Sequence, residues 1–257
     1  MRFACPFNFL ILTIALLPAA EIPLAVRQGR PVVDGVYVNG GGPYRFLVDT
    51  GAESSQLDRR LAKEIGLRPS FQVELVAAAG VRRVGGAGDV RLRLGTAEAT
   101  GEVLFTDMST VREWAPDVQG VLGQSFLRRF DYRLDFRAGR MEIGGRERAG
   151  IRAELEQGMA IPVVFTSLGR LAVDTGTDRL IVFGEALGRA MILRTATGVA
   201  AAGVARTKPL LIEGFTVRTP GAYSVSRPEG MSVDGLLPGS LFPSIYLCNS
   251  QGYIVFE

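Results

Sequence analysis

Two short stretches end in the same reactive triplet. "RFLVDTGA" at 45–52 and "RLAVDTGT" at 170–177 each run an apolar segment into Asp-Thr-Gly, which puts Asp49 and Asp174 at equivalent points. Gly51 and Gly176 leave room for a close approach of backbone that a side chain would block. If the two tips face one another, their carboxyls come within hydrogen-bonding distance, and like charges that close hold one proton between them. The ionised member can take a proton from water while the protonated member donates to an amide carbonyl, a hydrolysis that calls for neither metal nor cofactor. Thr50 and Thr175 each offer a hydroxyl able to reach across to the opposite copy. The residues after the glycines differ. Thr177 is expected to donate to the outer oxygen of Asp174, whereas Ala52 offers Asp49 nothing, so Asp174 is the expected carboxylate and Asp49 the expected acid.

The composition removes the main competitors. The chain has 257 residues and no histidine, which excludes Ser-His and Cys-His nucleophilic pairs, HExxH zinc sites and an imidazole base. No metal site is expected. Cys5 and Cys248 are the cysteines. Cys5 falls within the leader described below, and Cys248 reads as a small buried hydrophobe in the last strand. The formal net charge of +3 comes with scattered basic residues and suggests no nucleic-acid surface. Glu53, Asp178 and the pair Arg128-Arg129 read as solvated charges, and Trp114 as a packing residue.

The elements that must position the aspartates are short strands between glycine-rich turns, so the class is mainly β. "GVYVNGGGPYRFLVDTG" reads as a hairpin turning at Asn39-Gly40, and "DYRLDFRAGRMEIGG" as another turning near Ala138-Gly139. "GDVRLRLG" alternates Val90, Leu92 and Leu94. Leu57, Leu61 and Ile65 predict one helix over 56–65, ended by Gly66. The segments also repeat: "GVLGQSFL" (120–127) returns as "GLLPGSLF" (235–242), and "AAAGV" (77–81) as "ATGVA" (196–200). The order Asp-Thr-Gly, small-residue hairpin, Gly-apolar-apolar thus occurs twice, the mark of a duplicated lobe. A charged stretch at 144–158 separates the copies. The expected division is a signal peptide at 1–20, a first lobe at 21–148, a linker at 149–158 and a second lobe at 159–257. The leader has Arg2, an apolar run from Phe7 to Leu17 and a Pro-Ala-Ala exit, so a secreted or periplasmic protein is expected, off the membrane once the signal is removed.

These motifs, "FLVDTGA", "GVLGQSFLRRFDYRLDF", "LAVDTGT" and "DGLLPGSLF", resemble the aspartic peptidases of the retropepsin/pepsin clan, and most of all bacterial secreted retropepsin-like proteins. The resemblance implies a bilobal acid-protease fold of two retropepsin-like β-barrel lobes with the active site between them. It implies an aspartic endopeptidase acting on peptide or protein substrates, with Asp49 and Asp174 catalytic and Thr50 and Thr175 interlocked beneath them. It also implies a flap around Ala78, Ala79 and Gly80, and a second flap-like hairpin around Thr197 to Gly203. The chain departs from the clan in having Pro238 where the first copy has Gly123, and in lacking a tyrosine between 71 and 90. A monomer is expected, since both halves of the pair lie in one chain. A homodimer built through the first lobe and a catalytically silent peptide-binding module with the same fold stay open.

Overall fold

A computed structural model describes residues 20–77, 80–185, 191–195 and 198–257. Ala78 and Ala79, expected in a flap, Thr197, expected in a second flap-like hairpin, and nearly all of the expected leader lie outside them. The first half of the chain contributes β1 (Ala20–Arg27), β2 (Arg30–Val38), β3 (Gly41–Val48), β4 (Ser55–Asp58), β5 (Phe71–Ala77), β6 (Gly80–Leu94), β7 (Ala97–Thr106), β8 (Gly120–Leu122), β9 (Tyr132–Asp135) and β10 (Arg140–Ile143). Three short helices interrupt them, α1 (Arg59–Glu64), α2 (Ser109–Arg112) and α3 (Gln124–Leu127). The second half contributes β11 (Ile151–Glu154), β12 (Val163–Thr166), β13 (Gly169–Asp174), β14 (Leu180–Phe183), β15 (Met191–Thr195), β16 (Gly198–Ala205), β17 (Leu210–Ile212), β18 (Phe215–Val217), β19 (Ala222–Val225), β20 (Gly235–Pro238), β21 (Ser244–Cys248) and β22 (Tyr253–Phe256). The chain is mainly β.

The duplication seen in the motifs extends to the pairing of the strands. In the first half β3 runs parallel to β8, β4 antiparallel to β8 and parallel to β7, and β7 and β6 lead to the edge strand β5. In the second half β13 runs parallel to β20, β14 antiparallel to β20 and parallel to β19, and β16 leads to the edge strand β15. Even the register repeats, because Gly120 lies opposite Phe46 and Gly235 opposite Leu171, each three residues before its aspartate. Both glycines are needed: a Cβ on Gly120 would lie 2.7 Å from the Gln56 carbonyl, and one on Gly235 would overlap the Ile181 carbonyl.

Both sequence-predicted hairpins form at their expected turns. Asn39 and Gly40 take φ of 50° and 87°, the double left-handed turn that Asn-Gly favours between antiparallel strands. The helix is shorter than 56–65. Its first turns are the strand β4, pinned between β7 and β8, and α1 starts only after Asp58, whose carboxylate accepts from the Arg60 amide at 2.8 Å. The fourfold spacing misled because Leu57 is buried from a strand and Leu61 from a helix. The stretch at 144–158 also holds a strand, since β11 pairs with β22.

The order β11-β22-β21-β9-β10-β1 places the final strands of the chain beside those of its first half, and this end runs on into the first repeat as one 13-stranded sheet. One hydrophobic cluster spans the whole arrangement, joining Leu24, Val48, Leu122 and Leu134 to Val173, Leu237, Ile245 and Phe256. Each such fully buried aliphatic side chain stabilises the fold by about 1.5–3 kcal/mol. Cys248 is buried, in the penultimate strand and not the last. No helix of the described residues is long and apolar enough to cross a membrane.

Candidate active site

The apolar strands β3 and β13 deliver Asp49 and Asp174 to the same place. The Asp49 amide donates to the Leu122 carbonyl at 3.0 Å, so the parallel partner β8 holds the end of β3. In the second repeat β20 does the same for β13, with Pro238 in register with Asp174. Beyond each aspartate the chain folds back on its own carboxyl: the Gly51 amide donates to Asp49 Oδ1 at 2.9 Å and the Gly176 amide to Asp174 Oδ1 at 2.7 Å. The two turns are in mutual contact. A Cβ on Gly51 would fall 2.5 Å from Asp174 Cγ, and one on Gly176 would overlap the Asp49 carboxyl. These two positions exclude every residue but glycine for reasons of space.

Beneath the carboxyls the threonines interlock. Thr50 Oγ1 donates to the Val173 carbonyl at 2.5 Å and accepts from the Thr175 amide at 3.1 Å. Thr175 Oγ1 donates to the Val48 carbonyl at 2.7 Å and accepts from the Thr50 amide at 3.0 Å. Four hydrogen bonds between fully buried groups tie one turn to the other, and buried polar groups left without partners are costly.

Burial dominates the electrostatics of the pair. Burial raises Asp49 above the ordinary carboxylate range, but a hydrogen bond from Asp174 and the amides of Gly51, Ala52 and Gly176 favour its charged form. Burial, followed by the charge of Asp49 and the hydrogen bond donated to it, raises Asp174 well above that range. Both carboxyls are thus held above the ordinary range, within a pair that titrates as a unit. Thr177 does not reach Asp174. Its hydroxyl accepts from the Arg179 amide at 3.2 Å and lies 3.3 Å from the Arg179 carbonyl, closing its own turn.

Several supporting residues are invisible in the sequence. Arg30, buried at the start of β2, donates from Nε to the Gly176 carbonyl at 2.9 Å and pairs with Asp178 at 2.7 Å. Asp178 is accordingly a partner in an ion pair and not a solvated loop charge. Arg30 also lies 4.9 Å from the ring centre of Trp114, which packs on the cluster around Val32 and Leu47. Gln124, the second residue after the Val121-Leu122 pair, donates to the Thr50 carbonyl at 2.9 Å. Tyr132 is buried beside it, and burial raises its phenol above the ordinary range. The motif containing Gln124 was visible, but nothing local marked Arg30, which acts 146 residues away in sequence. Glu53, Arg128 and Arg129 are exposed, as read.

Gly80, expected in a flap, opens β6 in the β5–β6 hairpin and pairs with Ala77 at the end of β5. That hairpin reaches the second repeat, where Val76 lies 3.6 Å from the Cβ position of Gly230. Its counterpart, β15–β16, approaches α2 of the first half. Among the described residues no cluster of Cys, Asp or Glu has the makings of a metal site.

Residues 35–126 match the family model described as aspartyl protease. No curated protein matches the chain. Among solved structures, the chain is similar to a retropepsin-like aspartic protease from Rickettsia conorii, with 21% identity over 49% of this chain and 89% of that one, and a TM-score of 0.37. The matched segment contains β3, the first Asp-Thr-Gly turn and the Val121-Leu122-Gly123 segment that holds it.

Proposed function

We propose that this chain is an aspartic endopeptidase that hydrolyses peptide bonds through a water activated between Asp49 and Asp174. The observation that carries the reading is the reciprocal contact of the two turns, in which each glycine abuts the other copy's carboxyl. Asp49 takes a proton from the water, and Asp174 donates its proton to the carbonyl oxygen of the substrate. A tetrahedral intermediate results. Asp49, now protonated, then gives its proton to the leaving amine as the C–N bond breaks, while Asp174 takes back a proton from a hydroxyl of the intermediate, so the pair returns to its singly protonated state. The amides around Asp49 and the raised affinity of Asp174 for its proton separate the two roles before substrate arrives.

In this reading the two repeats are the lobes of one monomer, and the hairpins β5–β6 and β15–β16 are flaps over the substrate. The leader makes the enzyme secreted or periplasmic. Cleavage of an unstructured protein substrate is the test. Turnover should be blocked by a statine-type hydroxyl inhibitor and survive chelators and serine or cysteine reagents. Tight binding of peptides with no turnover in the natural sequence would instead indicate a silent binding module.

A further inference from the structure

A cavity of about 780 Å³ opens at the root of the β5–β6 hairpin, between α1, the segment that follows it and the faces of β6 and β7. None of its lining residues belongs to either Asp-Thr-Gly turn. Its apolar floor is made by Ala62, Leu67, Val84 and Phe105, and its rim contains four cations, Arg59, Lys63, Arg68 and Arg83, with no acidic residue among the lining. All four are exposed. Arg59 donates from Nε to the Phe105 carbonyl at 3.4 Å, and none of the four has an ion pair within the described residues. Glu74, which faces Arg83 across the hairpin register, does not line the cavity.

From this arrangement we infer a second binding site, which takes an acidic peptide segment with an apolar side chain. The volume lies in the range of sites that enclose a compact ligand. The cations, however, come from three different elements around an open mouth, so a single carboxylate would meet one of them and a chain bearing several would meet most. The floor favours a peptide over a nucleic acid, because an aliphatic or aromatic side chain can fill it while the carboxylates pair at the rim. From Gln72 to Ala77, the far end of β5, is about 17 Å at the usual rise of a strand. A protein gripped here by an acidic stretch could therefore be presented to the dyad at a bond several residues away. That the gripped protein is the one cleaved rests on the peptidase reading; the binding does not.

The test is binding of a labelled peptide of Asp and Glu around one Phe, beside its Asn and Gln counterpart, to the full chain carrying Asp49→Asn so that the probe survives. The acidic peptide should bind at least about tenfold tighter than the neutral one, and its affinity should fall as salt rises. Lys63→Glu with Arg68→Glu should weaken it by at least about tenfold, and Lys63→Gln with Arg68→Gln by less. Arg128→Glu with Arg129→Glu, which changes an exposed basic pair outside the cavity, should leave it unchanged. Equal affinity for the two peptides, or indifference to the Lys63 and Arg68 variants, would overturn the site. So would displacement of the peptide by a statine-type inhibitor, since that would place it at the dyad. Preferential binding of a thymidine oligomer that is lost in the same variants would make the cavity a nucleic-acid site instead.

Discussion

A carboxyl pair that shares a proton cannot be reproduced with one amide, so Asp49→Asn and Asp174→Asn should each reduce kcat by several orders of magnitude in a protein that still folds. Single-turnover cleavage reads this directly, and near-natural rates in either variant would end the dyad mechanism. The variants should differ in stability. Because the folded state raises Asp174 well above its ordinary value, its favourable contribution is complete below the unfolded value and disappears as pH rises through the folded one. Asp174→Asn should therefore raise the melting temperature at neutral pH and lose that advantage in acid, which thermal melts across pH would show. Arg30 acts on the same group, since its charge lowers Asp174. Arg30→Gln should move the alkaline limb of kcat/KM to higher pH, whereas loss of packing alone would leave the limb in place.

The four threonine hydrogen bonds belong to two turns and to neither alone. Removing either hydroxyl leaves a buried amide and a buried carbonyl on the opposite turn without partners, at about 1–3 kcal/mol per group. Thr50→Ala and Thr175→Ala should each destabilise the chain and lower kcat, while Thr→Ser at the same sites should restore most of both. Denaturant melts and kinetics on the four variants measure this. Equal losses for Ala and Ser would show that the methyl groups matter and the hydroxyls do not. Gln124 supports only the first turn. Its counterpart in the repeat is Gly239, where a Cβ would lie 2.7 Å from Thr175 Cγ2, so the two copies hold their turns by different means.

For the molecule as a whole, the junction between the repeats depends on buried charge as well as on apolar contact. Arg133 on β9 pairs with Glu257 beyond β22 at 2.8 Å and with Glu142 on β10 at 2.5 Å. Burial would raise Glu257, but Arg133, Ser244 and the Arg148 amide outweigh it and lower the group overall. Its contribution is present above the unfolded value and lost as pH falls through the folded one, the opposite slope to Asp174. Arg133 keeps Glu142 but loses its charged partner at the chain end, so Glu257→Gln should destabilise by about 1–3 kcal/mol at neutral pH and by less in acid. The assembly is also testable. Mixing Asp49→Asn with Asp174→Asn protein should restore no activity in a monomer, whereas recovery would mean that the two aspartates meet across chains.

The mainly β class, the two Asp-Thr-Gly turns and the common order of motifs around them were legible because they depend on local patterning and on a repeat, both of which a linear reading detects. Gly120 and Gly235 could be read because they recur in the repeat, and the Asn39-Gly40 turn because its own backbone demands left-handed residues. The residues that organise the site could not be read this way. Arg30 and Asp178, and Arg133 and Glu257, are separated by most of a lobe or more and meet only when the sheets are assembled. Thr177 looked like a partner for Asp174 from its position, but its turn closes on Arg179, a choice set by backbone direction. The helix over 56–65 became a strand first because β7 and β8 claim Ser55–Asp58, a pairing that no local propensity encodes. The basic residues look scattered along the chain, yet the fold gathers Arg59, Lys63, Arg68 and Arg83 around one cavity. The amino-acid sequence by itself determined which groups could do chemistry; the tertiary structure decided that Asp49 and Asp174 share one buried site, because their turns abut only when the two repeats pack together.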